Sequence, residues 1–263
     1  MPVTIVTGGT FGLGQTIAID LARRGHKVVA FGLRNAQVSS MAEGFESILA
    51  EIESSGLSDS IDVLDVDVSD ESAVQAVVEH TVQKHGTVDG LVNNAAIGPL
   101  GTVLTTEPAM FDRILAVNVR GTYLCCRHVI PHMAKAGGGS IVNIGSGAGY
   151  GKPNMAAYAS SKGAIQALTM AMAYDHFADR IRVNLAIPGG GGIVSGMSIG
   201  RFNGDEALFK SRNISGTVAG RPVDGHDLGN AVAFLLSDEA ATISGTVIDV
   251  GCFFHQGGPL GRK

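Results

Sequence analysis

The chain has 263 residues, 45% hydrophobic and 16% charged, with a formal net charge of −5. That length and apolar content exclude a disordered chain and a mini-scaffold that needs a disulfide or metal staple. The 19 Lys and Arg are scattered rather than massed, so no phosphate-neutralising face is present and no nucleic-acid partner is expected.

Short β-branched runs alternate with helical patterns along the chain, as in βαβ units around a parallel sheet. The first strand, Val3–Val6, runs into Thr7-Gly8-Gly9-Thr10-Phe11-Gly12-Leu13-Gly14 and a helix over Leu13–Arg24. Glycines in such a turn let the backbone approach a pyrophosphate held at the positive end of the helix. Alone, the GxxxGxG spacing also suits plain packing. The second strand, Lys27–Phe31, leads into Gly32-Leu33-Arg34-Asn35, with no acid to bind an adenosine 2′-hydroxyl. Arg34 can pair with a 2′-phosphate, which favours NADP over NAD, or stand as a solvated arginine. After a helix over Gln37–Ser54 and a strand over Ile61–Val66 comes Asp67-Val68, placed to meet an adenine edge. Asp67 serves equally as the N-cap of the next helix, Glu71–Lys84.

A fourth strand, Val88–Val92, precedes a helical stretch over Glu107–Lys135, expected to be two helices, in which Asn118 is a polar residue on an apolar face. The fifth strand, Ser140–Ile144, points Ser146 to the ligand side, where its hydroxyl can orient a carbonyl. The next helix, Ala156–Phe177, opens with Tyr158-Ala-Ser-Ser-Lys162, and four-residue spacing sets both side chains on one face, about 5–6 Å apart at Cβ. A phenol with an ordinary pKa of about 10 is a poor base near neutrality, and a neighbouring ammonium favours its phenolate. After a strand over Ile181–Leu185, residues 188–225 form a long glycine-studded segment, helical only around Asp205–Ser211, expected to be a substrate lid. A helix over Asp227–Leu236 and a strand over Thr246–Val250 complete an α/β fold: one Rossmann-like, doubly wound, seven-stranded parallel sheet in a single domain spanning 1–263.

With these elements in place the sequence resembles the single-domain short-chain dehydrogenase/reductase family over nearly its whole length. The resemblance is carried by TGxxxGxG at Thr7–Gly14, by Asn93-Asn94-Ala95-Ala96, by Asn118, Ser146, Tyr158 and Lys162, and by Pro188-Gly189 after the sixth strand. It implies that Tyr158 exchanges a proton with the substrate oxygen while nicotinamide exchanges hydride. Lys162 would hold the nicotinamide ribose and lower the tyrosine pKa, Ser146 would steady the substrate oxygen, and Asn118 would support a water relay. Gly8, Thr10, Gly12, Leu13, Gly14, Asn94, Ala95, Pro188, Gly189 and Ser195 are implied as cofactor contacts, beside Arg34, Asp67 and Val68. Departures are Ala96 in place of glycine, only twelve residues from Ser146 to Tyr158, three further glycines (Gly190 to Gly192) before Ser195, and Gly251-Cys252-Phe253-Phe254 where Asp-Gly-Gly is usual. That aromatic tail suits either a pocket cap or a subunit contact.

The expected activity is an NAD(P)-dependent interconversion of a secondary alcohol and a ketone. Ile193, Met197, Ile199, Phe202 and Phe209 in the lid suggest a small, mainly apolar, cyclic or aromatic substrate. The alternatives are a 3-oxoacyl-thioester reductase, with Arg120 and Arg127 contributing to a carrier patch, and a dinucleotide-binding sensor without chemistry. The helix bearing Tyr158 is apolar nearly all round, and the resemblance implies a homotetramer. His128 and His132 are four apart, but Pro131 is expected to interrupt the helix between them and no third ligand is spaced nearby, so no metal site is expected. Cys125 and Cys126 read as core residues. An odd cysteine count, no signal-like start and no apolar run of about 18 residues point to the cytoplasm, without a membrane partner.

Overall fold

Seven strands form one parallel sheet in the order β3-β2-β1-β4-β5-β6-β7. They are β1 Val3–Thr7, β2 Lys27–Gly32, β3 Ile61–Asp65, β4 Gly90–Asn93, β5 Gly139–Ile144, β6 Ile181–Pro188 and β7 Val247–Val250. The structure is a computed structural model and describes residues 1–34, 44–189, 193, 195–211 and 217–253. Adjacent strand residues point to opposite faces. Ile5, Leu91 and Ile141 therefore pack in one core with helices α3 (Glu71–His85), α5 (Gly121–Ala136) and α6 (Ala156–Asp175). Val6, Val92 and Val142 pack in a second core with α1 (Gly12–Arg23), α2 (Gly44–Ser54) and α9 (Gly225–Leu236). A parallel sheet covered on both faces needs continuously buried rather than alternating strands, which is the pattern that β1, β2 and β4 carry. Thr7 pairs with Phe31 on one side and Asn93 on the other, so the strand order reverses at β1. Ligand crevices of doubly wound sheets lie at that reversal, beyond the strand carboxyl ends.

The stretch expected as two helices is α4 (Pro108–Leu115) joined to α5 by a π-helical turn at Ala116–Arg120, which carries Asn118. Helix α5 also runs through Pro131, contrary to the expected interruption. Pro131 is exposed while Val129 and Met133 on either side are buried, so packing holds the helix despite the missing N–H. Asp67 is not the cap of α3: Asp70 fills that position and accepts from the Ala73 amide at 3.1 Å. Two short helices follow β6, α7 (Gly196–Gly200) and α8 (Glu206–Lys210), and α9 begins two residues earlier than expected because Asp224 caps it. The start of the Gln37–Ser54 helix, Gly190 to Gly192 and Phe254 lie outside the described residues. Cys252 and Phe253 hold φ of 56° and 66°, left-handed conformations that cost a side-chain-bearing residue roughly 1–2 kcal/mol. No helix among the described residues is long and apolar enough to cross a membrane.

Candidate active site

The turn after β1 needs glycine at defined points. Gly8 has φ +59°, and a side chain there would also press on the Ala95 backbone at 2.9 Å. At Gly14 a Cβ would collide with the Gly8 carbonyl oxygen and the Asn94 amide, so the first turn of α1 can sit against the loop only without one. The Thr7 hydroxyl accepts from the amides of Asn94 and Ala95, each at 3.0 Å, while Asn94 Nδ2 donates to the Thr7 and Gly8 carbonyls at 3.2 and 3.1 Å. These bonds clamp the ends of β1 and β4 together at the sheet's reversal. Helix α1 has Phe11 at its N-cap, no side-chain cap and no acid in its first turn, leaving its amide end suited to an anion. Uncapped amides and glycine-permitted backbone approach are what a dinucleotide pyrophosphate requires, so the residues present fit the group.

A cleft of about 480 Å³ opens there. Gly8, Thr10, Leu13, Gly14, Arg34, Asp67, Val68, Asn94 and Ala95 line one end of it, and Ser146, Tyr158, Lys162, Pro188, Gly189 and Ser195 belong to the same wall. Two of the residues expected in the site do not line it. Gly12 supplies a φ of +54° where α1 begins, and Asn118 lies behind the cleft. Arg34 is already engaged: its guanidinium stands 4.3 Å above the Phe45 ring, and Nη1 lies 2.7 Å from Glu46 Oε1. Asp67 accepts from Ser69 and from Arg113 Nη2 at 2.9 Å, and these partners hold its carboxyl below the usual range against the opposing effect of burial. Ser195 caps α7 in a reciprocal box with Ser198.

At the other end, Tyr158 is buried on the first turn of α6, and its phenol lies where the Ser146 hydroxyl acts on it. Burial pushes the phenol above its ordinary pKa, outweighing the downward pull of Ser146 and of the Arg201 charge. Lys162 does not produce the expected depression. Its Nζ is 5.9 Å from the ring centroid and donates to the Ile144 carbonyl at 2.7 Å, and burial brings its own pKa down to about 8. Ser146 also caps the short helical turn Gly147–Tyr150, accepting from Ala148 N at 3.1 Å, which orients the hydroxyl. Asn118 Nδ2 donates to the Ile97 carbonyl and to Ser161 Oγ, both at 2.9 Å, and Oδ1 accepts from the Ile97 amide at 2.8 Å. Ser161 in turn donates to the Tyr158 carbonyl at 2.7 Å. The π turn thus grips the loop after β4 and the helix bearing the tyrosine.

Of the lid residues expected to be apolar, Ile193, Met197 and Phe209 line the cleft, whereas Ile199 is buried and Phe202 packs edge-on against Phe209 at 5.7 Å. Reading the sequence alone missed Ser161 and Arg201. The Arg201 guanidinium stands 5.6 Å from the Tyr158 ring centroid and lines the cleft. A signal for it exists, since Arg201 is the sole charged residue between Ile193 and Gly204. Cys125 and Cys126 are buried core residues whose thiols burial pushes up, Cys126 to about 12, so neither is a thiolate near neutrality. His128 faces Glu71 of α3 at 3.6 Å.

Comparison with known proteins agrees with this geometry. A family model described as short chain dehydrogenase matches residues 2–200. The chain is 36% identical over 252 residues to 2-(S)-hydroxypropyl-CoM dehydrogenase 3 of Xanthobacter autotrophicus, covering 94% of each. Among solved structures it superposes on levodione reductase with a TM-score of 0.84 at 30% identity, covering 97% of this chain and 98% of that one. It superposes on the 3-ketoacyl-(acyl-carrier-protein) reductase of Brucella melitensis, complexed with NADH, with a TM-score of 0.79 at 34% identity, covering 95% and 96%. By motif, fold and similarity over nearly the full length, the chain belongs to the short chain dehydrogenase family of oxidoreductases, whose common ligand is a nicotinamide dinucleotide.

Proposed function

We propose that this protein interconverts a secondary alcohol and a ketone on a small molecule with a mainly apolar body, using a nicotinamide dinucleotide, NADP in preference to NAD. The observation that carries the reading is the buried Tyr158 phenol lining, with Ser146 and Lys162, the cleft that begins at the glycine turn. When bound, the nicotinamide supplies or accepts hydride. The chain's own residues handle the oxygen and its proton. Ser146, fixed by its bond from Ala148, holds the substrate oxygen beside the phenol. Burial keeps that phenol protonated, so as it stands Tyr158 is a donor for ketone reduction; for alcohol oxidation it must first lose its proton. Lys162 is the residue to hold the nicotinamide ribose, and its charge then stands next to the tyrosine. Both Asn118 amide hydrogens are committed, so a water relay through this residue runs by way of its oxygens.

The preference for NADP rests on Arg34 and on the absence of an acid at the end of β2. Glu46 opposes it, because a 2′-phosphate must displace this exposed carboxylate from Arg34, so the preference is modest. A 3-oxoacyl-thioester reductase is the second reading, favoured by likeness to the Brucella melitensis enzyme. Against it, Arg120 and Arg127 both turn to Glu71, which leaves them poorly placed to bind an acidic carrier. We further infer a homotetramer working in the cytoplasm, since Met110, Phe111 and Tyr123 along α4 and α5, and Tyr174 at the end of α6, leave apolar surface exposed. Gel filtration giving a monomer at micromolar concentration would count against that assembly. Activity is tested by following nucleotide absorbance with a panel of alcohols and ketones and both dinucleotides. Turnover of secondary alcohols or ketones supports the reading, and none with either nucleotide overturns it.

A further inference from the structure

We propose that Arg201 recognises a terminal oxyanion on the substrate, a carboxylate or sulfonate, so that the molecule turned over beside Tyr158 is a small organic acid. The inference rests on the alcohol and ketone reading above and narrows its substrate class. Its first support is an unmet need within the cleft. Nε and Nη2 of Arg201 are buried, and neither has a hydrogen-bond acceptor among the described residues. Buried guanidinium N–H groups are normally paired, and a charged donor left unpaired in a water-poor site is unfavourable.

The second support is which atoms are left. Nε and Nη2 form one edge of the planar guanidinium, and two parallel N–H groups on one edge match the two oxygens of an oxyanion in a bidentate pair. The third is position. Arg201 lines the same cleft as Ser146 and Tyr158, with Cζ 5.6 Å from the Tyr158 ring centroid, so a short molecule can reach the phenol with its carbonyl and the guanidinium with its acid. No carboxylate among the described residues accepts a hydrogen bond from Nε or Nη2 of Arg201. Arg201 therefore brings a positive charge to the cleft wall that an incoming anion would relieve. The apolar lining from Ile193, Met197 and Phe209 then fits the carbon skeleton between the two polar ends.

The test measures binding by calorimetry, with and without dinucleotide, for methyl-ketone carboxylic acids of increasing length such as levulinate, their methyl esters, and the matching sulfonates. Arg201→Gln and Arg201→Lys are compared with the unaltered protein, and melting curves check that each folds. The proposal expects an acid to bind roughly 10- to 100-fold more tightly than its ester. That ratio should collapse in R201Q and return in part in R201K, and carboxylate against sulfonate tells which oxyanion fits. No preference for acid over ester, or a preference that R201Q retains, overturns it. Turnover separates the two readings. Equal reduction of acid and ester removes anion recognition and leaves the dehydrogenase standing, whereas Arg201-dependent binding without reduction of any ketone does the reverse.

Discussion

Lys162 donates to the carbonyl of Ile144 at 2.7 Å, so the ammonium is tied to the last residue of β5, two positions before Ser146. Burial lowers the Lys162 pKa to about 8, well under its ordinary 10.5. Below pH 8 the lysine is protonated in both folded and unfolded chains and stability does not change through it. Between pH 8 and 10.5 the unfolded chain binds more protons, so stability rises with pH, by up to ~3 kcal/mol. Tyr158 acts oppositely above its ordinary pKa, because the folded protein keeps the proton longer. Thermal melts should show the rise in the wild type, and Lys162→Met should flatten it. An unchanged profile in that variant would assign the titration elsewhere.

Tyr158→Phe removes only the hydroxyl in the cleft beside Ser146. Turnover should fall by about 10²- to 10⁴-fold, the usual worth of a positioned proton donor. Dinucleotide affinity, read as a thermal shift, should hardly move, because the glycine turn is untouched. A variant that keeps most of its activity would show that the proton travels by another group.

Asn118→Ala deletes three hydrogen bonds, two to the Ile97 backbone and one to Ser161. Leaving the half-buried Ile97 amide and carbonyl unpaired should destabilise the protein by ~1–3 kcal/mol. Ser161→Ala loses the bonds to Asn118 and to the Tyr158 carbonyl and should cost less. If both variants slow turnover while melting normally, the network matters for the reaction; if they only melt earlier, it is structural.

Glu46→Gln frees Arg34 from its ion pair and should shift the NADPH over NADH ratio of kcat/KM upward by about 5-fold, as expected for an exposed charge pair. Arg34→Ala should move the same ratio downward. Steady-state kinetics with both nucleotides decide it, and a ratio that neither change alters would place the 2′-phosphate contact elsewhere.

The inner strands were legible in the sequence because burial on both faces writes itself as apolar runs such as Ile141-Val142, and the partly buried outer strands β3 and β7 through their β-branched residues between turn residues. The glycine turn was legible because its backbone geometry demands glycine at Gly8 and Gly14, whereas the Tyr158–Lys162 spacing gained meaning only beside the other motifs of the family it resembles. What escaped reading depends on contacts distant in the chain. Asp67 and Asp70 both stand before α3, and only the partnership with Arg113, forty-six positions away, shows which of them is free to cap it. Pro131 reads as a break until the burial of Val129 and Met133 is known. Lys162 reads as a partner for the phenol until the Ile144 carbonyl is seen to hold it. Arg201 lies on a segment whose path across the cleft no periodicity encodes.

The guanidinium just past α7 and the phenol of α6 come from separate stretches of chain, one on a short segment between β6 and α9, the other rooted in the central layers. Residues that choose the molecule can therefore vary without disturbing those that move its proton. Exchanging positions 197–211 for the matching stretch of another relative should retarget the scaffold while its nucleotide grip endures, which makes this segment the natural place to begin when redirecting it towards a new compound.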